Sequence, residues 1–228
     1  RIYAKNNFVK EEIEEIALNE EQSYVYNKIL EQREKKPILL HGVTGSGKTK
    51  VYINLVKEIL KKGKNAVILV PEISLTMQTI KRFVDEFDED IAVIHSNLTK
   101  REKFEQWLKI KSKVSKIVIG ARSALFSPLE DIGIIIIDEC HDDAYRSEMS
   151  PKYDTIEVAD FIAQKYDAHL ILASATPSIS QFYRAKEGSY NIFSLKKRAN
   201  EKPLPKVEIV NMLEDMKSGN KLELSTKL

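Results

Sequence analysis

Two short strings carry the residues best suited to chemistry. Gly42-Val43-Thr44-Gly45-Ser46-Gly47-Lys48-Thr49 fits G-x-x-x-x-G-K-[ST] in full and holds three of the chain's eight glycines. A loop of this kind turns successive backbone N–H groups inward as an anion nest, and a helix beginning near Lys48 adds its positive end. Lys48 is then placed to reach the β and γ phosphates of ATP as a point charge, and the Thr49 hydroxyl to ligate Mg²⁺. Gly42, Thr44, Gly45, Ser46 and Gly47 complete the expected nucleotide cradle. The second string, Ile134-Ile135-Ile136-Ile137-Asp138-Glu139, ends a β-branched run in two carboxylates. Asp138 is the expected acid of the Mg²⁺ shell, and Glu139 the candidate base for an attacking water. His141 follows two residues on; in isolation, a histidine in a polar loop is ordinarily a surface or hydrogen-bonded residue.

These strings need elements to hold them. Pro37 to His41 has the pattern of a short buried strand running into the glycine loop, and Tyr52, Leu55, Val56, Ile59 and Leu60 recur at helical spacing behind it. The same alternation continues, with strands expected at Ala66 to Val70, Ile91 to Ile94, Lys116 to Ile119, Ile132 to Ile137 and His169 to Ala173. Between them lie helix stripes at Ile80, Phe83, Val84 and Phe87 and at Val158, Ala159, Ile162, Ala163 and Tyr166. Thr99 and Glu102 form a capping box ahead of Phe104, Trp107 and Leu108, whose shared face predicts that Trp107 packs in the core. Asn19 and Gln22 form another capping box ahead of the first strand. Strand and helix in alternation predict an α/β fold, a mostly parallel sheet with helices on both faces. The pattern weakens after Leu195, where Lys196, Lys197, Arg198, Lys202 and Lys206, interrupted by Glu201, Pro203 and Pro205, suggest a solvated linker.

Composition bounds the partners. The chain has 228 residues, 43% apolar and 31% charged, ordinary globular usage. A net charge of +2 gives no bulk electrostatic case for nucleic acid or membrane, so any nucleic-acid site must be local. The single cysteine, Cys140, makes neither an internal disulfide nor a cysteine-rich metal site and fits a reducing cytoplasm. No apolar run approaches the roughly 20 residues of a spanning helix, and no leader precedes the first element, so a soluble protein without a membrane partner is expected. The chain opens on Arg1 rather than Met, as a piece of something longer would.

Asp138-Glu139-Cys140-His141 has the DExH form, and Ser174-Ala175-Thr176 is similar to the motif that couples nucleotide to nucleic acid in superfamily 2 helicases. Further strings narrow the likeness: Leu18-Asn19-Glu20-Glu21-Gln22, Leu69-Val70-Pro71-Glu72-Ile73-Ser74-Leu75-Thr76, Gly120-Ala121-Arg122-Ser123-Ala124-Leu125-Phe126 and Ser174-Ala175-Thr176-Pro177-Ser178. They resemble the PriA (primosomal protein N-prime) family of replication-restart helicases, from about Leu18 to at least Leu195. The resemblance implies a RecA-like P-loop lobe over 19–195, the first of two such lobes. Residues 1–18 would then be an N-terminal linker segment, and 196–228 a linker or the start of a connection to a second lobe. It also implies that Gln22 reads the adenine edge, beside its capping role, and that His141, Ser174 and Thr176 couple the two sites. Cys140, Met77, Asn97 and Ala121 depart from the family's usual Glu, Pro, Gly and Thr. Cys140 occupies the variable DExH position, whereas the other three bear on loop stiffness or DNA contacts.

On the DNA side, Glu72 to Thr76 and Gly120 to Ser123 follow strands, where loops offer backbone N–H and hydroxyl groups to phosphates. Glu72, Ser74, Arg122 and Ser123 are the candidates there, with pairing to a carboxylate as the alternative for Arg122. Tyr145, Arg146 and Tyr153 lie in a polar loop after the acids, placed either to stack on bases or to pack on the domain edge. The resemblance implies the function of the ATP-binding lobe of a 3′-to-5′ DNA helicase acting on single-stranded and forked DNA in replication restart. The resemblance implies primosome proteins and single-stranded-DNA-binding protein as partners, and zinc only in segments outside this chain. A different superfamily 2 translocase or repair ATPase is one alternative. Another is a nucleotide-binding module that hydrolyses little by itself, since the chain contains no second P-loop-like core and no later arginine motif.

Overall fold

The computed structural model describes residues 17–87, 90–199, 208–219 and 224–225. Most of the 1–18 segment, and Lys202 and Lys206 with their prolines, lie outside them. The elements run α1 (Glu20–Leu30), β1 (Ile38–Gly42), α2 (Lys48–Lys61), β2 (Asn65–Leu69), α3 (Met77–Glu86), β3 (Asp90–Ile94), α4 (Lys100–Lys111), β4 (Ser115–Gly120) and β5 (Ile132–Ile137). They continue with β6 (Arg146–Ser147), β7 (Tyr153–Asp154), α5 (Thr155–Tyr166), β8 (His169–Ser174), α6 (Ile179–Lys186), β9 (Asn191–Leu195) and α7 (Met212–Lys217).

Seven strands pair in the order β3-β4-β2-β5-β8-β1-β9, parallel throughout, and β6 and β7 form a small antiparallel pair. Parallel strands covered on both faces must be apolar throughout, as Ile132–Ile137 is, every residue buried. The pleat sorts them: Ile38, Leu40, Ile68, Ile134 and Ile136 pack with Val25, Val51, Tyr52 and Phe83 of α1 to α3, whereas Leu39, Val67, Ile135 and Ile137 pack with Ile110, Ala159 and Ala163 of α4 and α5. Helices therefore cover both faces, in agreement with the expected layering. All six expected strands are present. The seventh, β9, was not expected; it pairs with β1 along its length, Leu195 opposite Gly42.

Trp107 is a correction. It is 43% exposed and stacks on Phe104, itself 58% exposed, with ring centroids 6.3 Å apart. The buried face of α4 carries Gln106 and Ile110 instead. The reason lies in β3, an edge strand: its Val93 N–H donates to Gln106 Oε1 at 3.1 Å, so a polar side chain takes the inward position and rotates the aromatics out.

Candidate nucleotide site

The strand order brings the chemistry together. β8 lies between β5 and β1, so Asp138 after β5, Ser174 at the end of β8 and the glycine loop after β1 share one edge of the sheet. Open parallel sheets gather ligands at this carboxyl edge.

In the glycine loop, Gly45 and Gly47 adopt φ of +79° and +80°, a conformation that disfavours side chains. A Cβ on Gly47 would also stand 2.4 Å from Gln22 Nε2. Among the described residues no acceptor is assigned to the N–H groups of Gly45 and Gly47, and those of Lys48 and Thr49 open α2, where a helix offers none. Amides left without protein acceptors suit an anion. Lys48 is buried, and its Nζ donates to Gly42 O at 2.8 Å across the loop. The Ser46 hydroxyl is buried without a partner among the described residues. Gln22 is buried as well: its amide closes the capping box with Asn19 and donates to Ser46 O at 2.8 Å. Both ends of that amide are engaged with protein, so an adenine-reading role rests on the resemblance.

Across from the loop, Asp138 Oδ1 accepts from Glu139 N at 3.1 Å and Oδ2 from the Tyr52 hydroxyl at 2.8 Å. The same Tyr52 oxygen lies 3.0 Å from Thr49 Oγ1. Hard oxygens from one carboxylate and one hydroxyl, with room for phosphate and water, are a donor set that fits Mg²⁺. Glu139 stands at φ +45°, strained for a residue with a side chain, and its carboxylate lies 3.5 Å from His141 Nδ1. His141 Nδ1 is also 2.8 Å from Ser174 Oγ, which accepts from Thr176 N at 2.9 Å. A continuous polar path thus runs Glu139, His141, Ser174, Thr176. Cys140 points the other way, into the core, where burial and the neighbouring Glu139 and Asp138 charges push its thiol up to about 12. Gln181, the closing residue of the α6 capping box, donates to Cys140 O at 2.9 Å and ties α6 to the acid turn.

The remaining candidates divide. Glu72 and Ser74 occupy an exposed turn after β2, and Glu72 Oε1 accepts from Ser96 N at 3.2 Å. Arg122 meets carbonyls rather than a carboxylate, donating to Ala144 O at 3.2 Å and Arg146 O at 2.7 Å, while Ser123 beside it is exposed. Tyr145 is a correction: it is 2% exposed, and its hydroxyl donates to Asp138 O at 2.7 Å, so its ring is closed to bases and supports the acid turn instead. Arg146 is exposed, and Tyr153 is half-buried against Phe126. The stretch after Leu195 keeps Lys196 and Lys197 exposed, as a solvated linker would, but its first backbone N–H groups are tied to the lobe. Lys196 N and Lys197 N donate to the Glu21 carboxylate at 2.9 and 3.2 Å, and Ala199 N to Gly45 O at 2.9 Å. Glu21 and Tyr52 were both missed. Glu21 had no visible partner in sequence, and Tyr52 merged into an apolar stripe, although its spacing of three from Thr49 was available.

A family model described as type III restriction enzyme, res subunit, matches residues 15–179. The chain belongs to that family. Its resemblance to replication restart protein PriA is extensive: 44% identity to the Bacillus subtilis protein over 94% of this chain and 27% of that one. The Haemophilus influenzae PriA is 41% identical over 85% of the chain and 27% of its own length. The chain thus spans about a quarter of these relatives and resembles their first helicase lobe. Among solved structures, RecG bound to a three-way DNA junction superposes with a TM-score of 0.58 at 22% identity, over 80% of this chain and 24% of that one. The helicase MrfA bound to DNA gives 0.57 at 19%, over 78% and 25%. With the parallel seven-stranded sheet, these establish a RecA-like helicase-lobe fold. Among the described residues no helix is long and apolar enough to cross a membrane.

Proposed function

We propose that residues 19–195 are the ATP-binding lobe of an ATP-dependent 3′-to-5′ DNA helicase acting at forked and single-stranded DNA in replication restart. The observation that carries this reading is the facing of two sets of groups across one sheet edge: the backbone amides of Gly45, Gly47, Lys48 and Thr49, and the Asp138–Glu139 carboxylates joined to Ser174 through His141. Lys48 exchanges its contact with Gly42 O for phosphate oxygens, and the loop amides hold the remaining charge. Thr49 and Asp138 would hold Mg²⁺, which when bound would neutralise phosphate charge and orient the phosphates. Glu139 accepts the proton of the attacking water, and His141 relays its position to Ser174 and Thr176.

Glu72, Ser74, Arg122, Ser123 and Thr176 follow strands at the same edge, with Arg146 and Tyr153 on the β6–β7 pair after the acid turn, so a DNA strand laid along that edge lies beside the acids. Primosome proteins, single-stranded-DNA-binding protein and a cytoplasmic setting follow from the likeness to PriA, as does zinc in segments beyond this chain. By itself the chain should bind ADP or ATP and hydrolyse slowly, because no arginine lines the pocket around Lys48 and Glu139 among the described residues. An arginine finger contributes roughly 10³ to 10⁵ in rate where it has been measured. Calorimetry with ADP and Mg²⁺ tests the site. Lys48→Ala should weaken binding about tenfold to a hundredfold, and equal affinity in the two proteins rejects the site. Rapid DNA-stimulated phosphate release by this chain alone would reject the slow-hydrolysis reading.

A further inference from the structure

Tyr52 has no assigned part in the nucleotide site, yet its hydroxyl is the only group seen to touch both expected Mg²⁺ ligands among the described residues. It lies one helical turn after Thr49 on α2, so its side chain rises over the start of the same helix. The residue is 1% exposed, and its ring stacks on Phe83 of α3 at 6.4 Å and 21°. Its oxygen is 2.8 Å from Asp138 Oδ2 and 3.0 Å from Thr49 Oγ1. A phenol has one proton to give. With a carboxylate on one side and a hydroxyl on the other, that proton goes to the carboxylate, the stronger acceptor, and the Thr49 hydroxyl donates to the Tyr52 oxygen. The Thr49 hydrogen is thereby turned toward Tyr52, which leaves the lone pairs of the Thr49 oxygen free for a cation. Asp138 is held at both oxygens, by Tyr52 and by Glu139 N.

We propose that Tyr52 is a positioning residue for Mg²⁺, setting the Thr49 and Asp138 oxygens in their ligating orientation before nucleotide and metal arrive; this rests on the reading of the loop as an ATP site. Partners that orient metal ligands typically contribute ten- to a hundredfold in metal affinity. The ring of Phe83 fixes the phenol and joins it to α3, the helix that follows the Glu72 to Thr76 loop.

The test is a fluorescence titration of this 228-residue chain with N-methylanthraniloyl-ADP, with Mg²⁺ varied at fixed nucleotide and a parallel series in EDTA. Tyr52→Phe should raise the half-saturating Mg²⁺ concentration about tenfold and leave affinity in EDTA within about twofold. Because Tyr52 acts through its partners, the same substitution in an Asp138→Asn background should shift the Mg²⁺ curve less than about threefold. Phe83→Leu, which keeps the phenol and loosens its ring, should shift the curve in the same direction by a smaller factor, and it serves as the test if Tyr52→Phe does not fold. An unchanged Mg²⁺ curve overturns the proposal. So does an equal loss with and without Mg²⁺, which marks a packing role. Failure of the unsubstituted chain to bind the nucleotide, or equal binding by Lys48→Ala, sinks the ATP-site reading itself and is told apart by those two controls.

Discussion

The two ends of the parallel sheet are built from similar material and put to opposite uses. At the carboxyl end, polar groups share partners whether buried, as Tyr52 and Ser174 are, or partly exposed, as Glu139 and His141 are: Tyr52 bridges Thr49 and Asp138, His141 bridges Glu139 and Ser174, and Glu139 holds a strained φ of +45°. At the amino end, polar groups are tied off or shut in. Lys35 pairs with Asp167 at 2.8 Å and also caps the Asp167 carbonyl at the end of α5. His169, the first residue of β8, is buried with Nδ1 unpartnered among the described residues. Burial, then the Lys35 and Lys62 charges, push its pKa down to about 4; Lys64 acts in the same sense and Asp167 opposes. The contrast implies that substitutions at the carboxyl end change chemistry with little loss of stability, and those at the amino end do the reverse.

The largest expected effect tests the carboxyl end. In a protein of the PriA relatives' full length carrying this lobe, Glu139→Gln should lower DNA-stimulated ATP turnover by roughly 10² to 10⁴ while retaining ATP binding. Its melting temperature should stay within a few degrees, because the substitution keeps side-chain shape and the same φ. Near-normal turnover, or a large loss of stability, would break the contrast at its strong end.

His169 tests the amino end. Its folded value lies below the ordinary 6.5, so the unfolded chain takes up the proton first as pH falls. Stability is whole above pH 6.5 and is lost between there and about 4, by about 3 kcal/mol for this residue. Urea unfolding of His169→Leu across that range should show a flatter acid limb than the unsubstituted chain, with ADP affinity at neutral pH unchanged. A limb of equal steepness would show that the histidine is protonated within the fold.

A side chain at neither end sharpens the scale. Trp107, half out of α4, should tolerate Trp107→Gln at a cost of under about 1 kcal/mol and with no change in ADP binding, read by urea melts and calorimetry. A cost of several kcal/mol would mean that its exposed face is covered in solution.

Much of the carboxyl end was legible because its parts are contiguous in the chain. The loop from Gly42 to Thr49 and the Asp138–Glu139 step are each a run of neighbours, and their chemistry follows from residue type and spacing alone. Five short apolar runs and one β-branched run marked the strands by the same local logic. What was not legible involves partners far apart in sequence. Tyr145 sits in a polar loop, and only its bond to the carbonyl of Asp138 shows that it is a strut. Gln106 occupies an inward position because an edge strand offers it an unpaired N–H, a fact of sheet order that no helical stripe encodes.

The sequence by itself determined the α/β alternation, the glycine loop and the two acids, since backbone conformation at glycines, β-branched strand preference and adjacent carboxylates act over a few residues. Only the tertiary structure decided which side chains complete the site. Placing β8 between β5 and β1 brings Ser174 to His141, and packing α2 against α3 turns Tyr52 from an apolar-stripe residue into the bridge between Thr49 and Asp138. A hydrogen bond reaches only about 3 Å, so residues 33 or 86 positions apart in the chain become partners only once the sheet has set their strands and helices side by side.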